Sequence, residues 1–322
     1  MAAAGNPPTV WAMHDGKIGM ENQVVGLAEA LGWPFEQKRL VIREPWCHLT
    51  PGLWLWPMKA VDPRGDRLTP PWPDILIACG RNTVAVARRI KRENGGRTYW
   101  VQVQDPRFAR DEVDLVVAPQ HDPAPGDNVF RTLGAVHRVT AAKLAAESQR
   151  RASLFASLKR PLVAVLIGGD NAVYRLSEQR FAALCDRLAE LARAGCGLAI
   201  TPSRRTSVER LASLRRRLEG LPSFIWDGNG DNPYLAMLGA ANAIVVTADS
   251  VSMVSEAAAT GKPVYVVDLD GGSRKFARFH QAMRDAGITR PFAGKIEAWQ
   301  YTPPDDTARA AAEIRRRYAK AA

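Results

Sequence analysis

Short apolar, β-branched runs alternate with segments of helical period along almost the whole chain, the pattern of parallel sheets assembled from strand–helix–strand units. In the first half this pattern predicts strands at 9–13 (TVWAM), 35–41 (FEQKRLV), 74–80 (DILIACG), 98–103 (TYWVQV) and 114–118 (DLVVA), with helices near 21–31 and 82–93. A polar helical stretch at 143–161 stops at Pro161, after which the alternation restarts. Further strands are predicted at 162–167, 197–201, 223–226, 243–247 and 263–267, and a last helix at about 305–320.

With 322 residues the chain exceeds the size at which one hydrophobic core keeps growing, so two domains are expected. The restart places them at 1–150 and 151–300, with a terminal helix in 301–322 packing back on the first. The segment from Trp33 to Trp72 breaks the alternation and holds five of the nine tryptophans, which predicts an irregular excursion from the first sheet. No repeat of solenoid period is visible.

The formal charge of +11 favours an anionic partner such as a nucleotide, a phosphate or an acidic lipid. Nucleic acid is not expected, because the arginines are dispersed and no nucleic-acid-binding signature stands out. In RRTSVERLASLRRRLEG (204–220), for example, the inward stripe is Val208, Leu211, Leu214 and Leu218, and Arg215 to Arg217 form a solvated face. Cys47, Cys79, Cys185 and Cys196 are unevenly spaced without a CxxC pair and are read as buried free thiols. No apolar stretch is long enough to cross a bilayer and the N-terminus lacks a signal-peptide pattern, so the expected location is cytoplasmic.

In an open α/β sheet, ligands collect at the carboxyl ends of strands, beside helix N-termini. The first such junction, HDGKIGMENQ at 14–23, offers His14, Asp15, Lys17 and Gln23 around two glycines. Arg81 starts a helix after the third strand, which is electrostatically unfavourable without an anion nearby; Asp105 after the fourth strand is the candidate internal partner. In the second half, Gly168 and Gly169 in IGGDN end a buried strand and would let backbone amides approach phosphate, with Asn171 beside them. Ser203, Arg204 and Arg205 precede a capping box read at Thr206 and Glu209, and the arginine forks suit a diphosphate. In TADSVSMVSEAAATGKPV, Ser250 starts a helix on which Ser252 and Glu256 share a face. A carboxylate there can accept two hydrogen bonds from vicinal ribose hydroxyls.

The segment NPYLAMLGAANAIVVTADSVSMVSEAAATGKPVYVVD resembles the donor-nucleotide motif of two-domain GT-B glycosyltransferases, including the enzyme that adds N-acetylglucosamine to the peptidoglycan lipid precursor. That resemblance implies an α/β GT-B-like fold, two Rossmann-like domains with parallel sheets facing a central cleft, and a ribose-holding role for Glu256. More closely, DGKIGMENQ, CGRNTVAVAR, QDPRF, IGGDN, TPSRRT and ADSVSMVSEAAATGKPV, in that order, resemble the bacterial members of the mitochondrial-fission-protein family across about residues 9–300. Related first-domain loops commonly carry histidine after the second glycine, where this chain has Met20, which leaves His14 or Asp15 to supply a base.

The expected activity is metal-independent transfer from a nucleotide-sugar donor, with no further cofactor. Gly168, Gly169, Asn171, Ser203, Arg204, Arg205, Ser250, Ser252 and Glu256 would bind the donor; Lys17, Gln23, Arg81 and Asp105 would line the acceptor side. The acceptor is expected to be lipid-linked or at a membrane, with Trp54, Trp56, Met58, Lys59 and Arg64 in the excursion either meeting the interface or buried beneath the first domain. A non-catalytic adaptor that retains the nucleotide site is the alternative. A metal-dependent variant would rest on Asp268 and Asp270, which resemble a DxD signature. A dinucleotide-dependent epimerase lacks its GxGxxG and Tyr-x-x-x-Lys motifs here.

Overall fold

The structure, a computed structural model, describes residues 6–321. In chain order its principal elements are β1 (Val10–His14), α1 (Ile18–Leu31), β2 (Phe35–Arg39), β3 (Ile75–Cys79), α2 (Thr83–Glu93), β4 (Tyr99–Val103), β5 (Leu115–Pro119) and β6 (Val129–Thr132). There follow α3 (Ala141–Arg150), β7 (Leu162–Ile167), β8 (Tyr174–Arg175), α4 (Glu178–Arg193), β9 (Gly197–Pro202), α5 (Val208–Arg217), β10 (Ser223–Ile225) and α6 (Tyr234–Ala240). The chain continues through β11 (Ala243–Thr247), α7 (Val251–Ala258), β12 (Val264–Val267), β13 (Asp270–Gly271), α8 (Arg274–Asp285), β14 (Thr289–Pro291) and α9 (Asp306–Ala321).

Two compact units result. The first runs to Arg138 and resumes at Asp305; the second is Val139–Pro304. The division falls ahead of residue 150 because α3 belongs to the second unit. A Cβ at Gly239 of α6 would overlap the Ser148 hydroxyl and the Leu144 carbonyl of α3, so glycine there permits close helix contact. Helix α9 joins the first unit at its start: the Asp306 carboxylate accepts the N–H groups of Leu133 and Gly134 at 3.0 and 2.9 Å.

The first sheet has the order β2-β1-β3-β4-β5-β6, all parallel. Strands β1, β3, β4 and β5 are buried throughout, as parallel strands covered on both faces must be. Their residues divide by alternation. Val10 and Ala12 pack with Val24, Leu27 and Leu31 of α1 and Ile314 of α9, whereas Trp11 and Met13 pack with Val84 and Ile90 of α2 and with Trp54, Ala60 and Leu68 of the excursion. The Trp-rich segment is therefore part of the layer over one sheet face, built from three short 3-10 turns at Trp46–His48, Pro51–Leu53 and Pro57–Ala60.

The second sheet has the order β10-β9-β7-β11-β12-β14, again all parallel. Numbered within this sheet the order is 3-2-1-4-5-6, the dinucleotide-fold order, whose topological switch point lies between β7 and β11. In the first sheet the reversal lies between β1 and β3. Strands β6 and β14 are absent from the expected set because they are short sheet edges, partly exposed, and are defined by pairing with β5 and β12. No helix among the described residues is long and apolar enough to cross a membrane.

Candidate functional site

Each unit gathers polar side chains at its own switch point. In the second unit, β11 ends at Thr247 and α7 begins after Ser250, whose side chain accepts the Met253 N–H at 3.3 Å as N-cap. The buried residue between them, Asp249, is the centre of the arrangement. Its Oδ2 accepts the Gly169 N–H at 3.2 Å and pairs with the Arg205 guanidinium, while its main-chain oxygen accepts from Asn171 Nδ2 at 3.1 Å. Its Oδ1 is buried with no hydrogen-bond partner among the described residues.

This corrects the role expected of the two glycines. Gly168 N–H donates to Thr247 Oγ1 at 2.8 Å and Gly169 N–H to Asp249, so neither amide is free for phosphate. The missing side chains have an internal reason: a Cβ at Gly168 would overlap the Asp249 carboxylate, and one at Gly169 the Arg205 carbonyl. Asn171 and Ser203 likewise serve the loops. Asn171 Oδ1 accepts the N–H groups of Val173 and Tyr174, both at 2.8 Å, and Ser203 Oγ accepts that of Arg205 at 3.1 Å. The predicted capping box is replaced: Ser207 caps α5, and Thr206 donates to the Gly168 carbonyl at 2.7 Å.

The other expected donor-side groups differ in their surroundings. Arg204 is exposed, with no hydrogen bond or ion pair among the described residues. Ser252 is half-buried, and its hydroxyl has no hydrogen-bond partner among those residues. Glu256 is only 5 % exposed, and Tyr234 at the start of α6 donates its hydroxyl to Glu256 Oε2 at 2.5 Å. Burial, then the nearby Glu256 charge, raises the Tyr234 phenol well above its ordinary range, so the proton stays on tyrosine. In the DxD-like pair, Asp268 is exposed, whereas Asp270 is held by the Ser177 hydroxyl and by Arg180 Nε at 3.0 Å.

The first unit's switch point brings together His14, Asp15, Lys17, Gln23 and Gly80. Gly16 N–H donates to His14 Nδ1 at 3.1 Å, and Gln37 Nε2 lies 2.9 Å from His14 Nε2 while donating to Glu21 Oε1 at 3.0 Å. Burial lowers the His14 pKa, opposed in part by Glu21 and Asp15. Both ring nitrogens of His14 face neighbours, and the residue is 1 % exposed. Asp15 Oδ2 pairs with Lys17 Nζ at 2.7 Å, and its Oδ1 is buried with no hydrogen-bond partner among the described residues. Asp15 and Asp249 thus share a pattern: one oxygen on a cation, the other unpartnered, each at a point where strand order reverses.

Gln23 donates to the Gly19 carbonyl at 2.9 Å and accepts from Gln104 Nε2 at 3.3 Å. The Met20 sulfur occupies the side-chain space at Gly80. The expected Arg81–Asp105 pair does not form. Arg81 Nη2 donates to the Leu49 carbonyl at 3.2 Å, and Asp105 takes Arg110 in a two-pronged bridge, both bonds 2.8 Å. Burial alone would raise the Asp105 carboxyl, but Arg110 and the Arg107 N–H hold it below the usual range. The surrounding loop places Gln104, Arg107 and Ala109 at φ of 69°, 66° and 53°, a cluster of left-handed conformations uncommon for residues with side chains.

Tyr234, Asp249, Gln104 and Arg110 were outside the expected set. Asp249 had a sequence signal, since it lies between a strand end and an N-cap; Tyr234 is 22 residues from its partner and had none. For metals, the described residues bring one trio of side chains together, Glu44, Cys47 and His48, with ligand atoms within 4.8 Å of one another. Glu44 and His48 are exposed and already paired at 2.9 Å, and Glu44 also accepts from Cys47.

Comparison with known proteins adds sequence and fold relationships. The profile of the family described as Mitochondrial fission ELM1 matches residues 18–318. A protein of Arabidopsis thaliana named mitochondrial fission protein ELM1 is 37 % identical over 275 residues, covering 77 % of this chain and 64 % of its own length. This chain therefore spans just under two thirds of that relative. Among solved structures, a UDP-GlcNAc 2-epimerase from Neisseria meningitidis bound to UDP-GlcNAc superposes with a TM-score of 0.54 at 14 % identity, covering 97 % of this chain and 93 % of that one. MurG of Acinetobacter baumannii superposes with a TM-score of 0.50 at 14 % identity, covering 98 % and 93 %. At such identity the likeness shows the fold, which is that of GT-B glycosyltransferases and epimerases.

Proposed function

This chain belongs to the Mitochondrial fission ELM1 family, and from that premise we propose that its second unit binds a nucleoside-diphosphate sugar and that the protein is a metal-independent glycosyltransferase. The observation that carries the reading is Glu256, a buried carboxylate on the helix that starts at the switch point, gripped by Tyr234. A ribose presents two vicinal hydroxyls to such a group. The α7 N-terminus at Ser250 and the unpaired Arg204 offer positive partners for the diphosphate, which fits stabilisation of charge on a departing nucleotide. On the acceptor side, Asp15 is the base of choice, because its Oδ1 has no competing donor.

Solved structures with this fold include one bound to UDP-GlcNAc, which supports a nucleotide-sugar ligand without deciding between transfer and epimerisation. The absence of dinucleotide-fold epimerase motifs therefore argues only against that kind of epimerase.

The adaptor reading has its own support in Met20, whose sulfur packs on Gly80 in the first unit. It predicts nucleotide binding without turnover. Calorimetric titration with uridine, adenosine, guanosine and thymidine diphosphates and their sugar conjugates tests the shared premise. Binding of at least one, weakened about tenfold or more by Glu256→Ala, is the expected result. Failure of every nucleotide to bind the folded protein would remove the donor site, and binding without product from any sugar conjugate would favour the adaptor.

A further inference from the structure

Large apolar side chains exposed one at a time are ordinary; a contiguous set is not. Among the described residues six such side chains are exposed, and four of them, Leu49, Leu53, Leu55 and Trp56, fall within one short piece of the excursion between β2 and β3. Their exposure is 41, 70, 79 and 60 %. The backbone holds them outward. Trp54, between Leu53 and Leu55, is buried at 5 % in the layer over the first sheet, and 3-10 bonds close the turns on either side, Leu53 N–H to the Thr50 carbonyl at 2.8 Å and Lys59 N–H to that of Trp56 at 2.9 Å.

Cations ring this tip. Lys59 Nζ lies 5.2 Å from the centre of the exposed Trp56 ring. Arg81 reaches the Leu49 carbonyl, and the exposed Arg107 adjoins Phe108, which lies against Gly52. Of the acidic side chains in this part of the chain, Asp62 pairs with Arg64 at 3.0 Å, Glu44 lies 2.9 Å from the His48 ring and Asp66 accepts the Arg39 N–H at 2.6 Å. An aromatic ring and leucines flanked by exposed cations match the interface of an anionic bilayer, where apolar groups enter the acyl boundary while ammonium and guanidinium groups meet headgroup phosphates.

We propose that the 49–59 segment docks the protein on an anionic lipid surface. This goes beyond the nucleotide reading and uses none of its residues in the second unit. It also sets the lipid surface beside the first unit's crevice, because Arg81, which holds Leu49, directly follows Gly80.

The test is co-sedimentation of the full chain with vesicles of phosphatidylcholine containing about one third phosphatidylglycerol, at low salt. The expected result is binding that falls at least about tenfold in a Leu53→Asp, Leu55→Asp, Trp56→Ala variant and weakens on added salt. Val208, expected on the inward stripe of 204–220, is instead 79 % exposed at the start of α5 in the second unit, and Val208→Asp should bind like the parent. Circular dichroism guards against misfolding, and since all three changed side chains are exposed, a folded triple variant is expected. No binding by the parent chain, or equal binding by the folded triple variant, would overturn the proposal. So would self-association in vesicle-free solution that the triple variant abolishes while no vesicle binding is seen, which would assign the tip to a second copy.

Discussion

The Tyr234 hydroxyl and the Glu256 carboxylate meet at 2.5 Å, so the helix before β11 fixes a carboxylate on the helix after it. Tyr234→Phe removes the donor but keeps the ring. If Tyr234 positions Glu256, nucleotide affinity should fall by a factor of about three to ten, less than for Glu256→Ala, because a hydrogen bond to a charged group contributes on the order of 1 kcal/mol or more. Calorimetry on both single variants and the double variant checks this. Additive losses would show that the two residues do not act together.

The Arg205–Asp249 pair joins a side chain 38 % exposed to one fully buried. Arg205→Ala would leave the buried Asp249 charge with one N–H donor and no cation. The cost should be roughly 1–3 kcal/mol, below the 3–5 of a fully buried pair because solvent screens the arginine. Chemical denaturation measures it, and Asp249→Asn in the same chain should recover part of the loss. Unchanged stability of Arg205→Ala would show that the pair is incidental.

Gly168→Ala places a methyl group on the Asp249 carboxylate. We expect a loss of about 1–3 kcal/mol from overpacking, read as a lower urea midpoint. Were Gly168 needed only for ligand approach, stability would stay level and nucleotide affinity alone would drop.

Lys262 donates its Nζ to the Leu238 and Gly239 carbonyls at 2.7 and 2.5 Å. Burial, with Arg160 adding repulsion, lowers its pKa from 10.5 to about 8. The unfolded chain keeps the proton to higher pH, so over about pH 8 to 10.5 the unfolded state binds more protons and the free energy of unfolding rises. The cost of burying the charge is thus present below about pH 8 and relieved above it. The stability of the parent relative to Lys262→Met should increase between about pH 7.5 and 10; a constant difference would contradict the shift.

Much of the architecture was legible in the chain. The strands at 162–167 and 243–247 coincide with β7 and β11, because a parallel strand buried on both faces must be a continuous apolar run and has few ways to disguise itself. The positions of the candidate sites followed from the same cause, since polar residues such as Asp15, Ser203 and Ser250 mark where such runs end. The edge strands β6 and β14 were not legible, because pairing with a neighbour, and not an apolar pattern, makes them strands.

Which polar group meets which was beyond the sequence. Arg81 and Asp105 carry complementary charges, yet the 104–109 loop turns through three left-handed residues and Asp105 meets Arg110 instead. Gly168 and Gly169 were visible as glycines, but only the packed structure showed that Asp249 and Arg205 occupy the room they leave. The sequence by itself determined the strand–helix rhythm and the chemistry available at each strand end, since both depend on periodicity along the chain. Strand order, the switch points and the partners of Asp15, Asp249 and Glu256 were decided by tertiary structure alone, because hydrogen bonds and ion pairs are set by distances between residues remote in sequence.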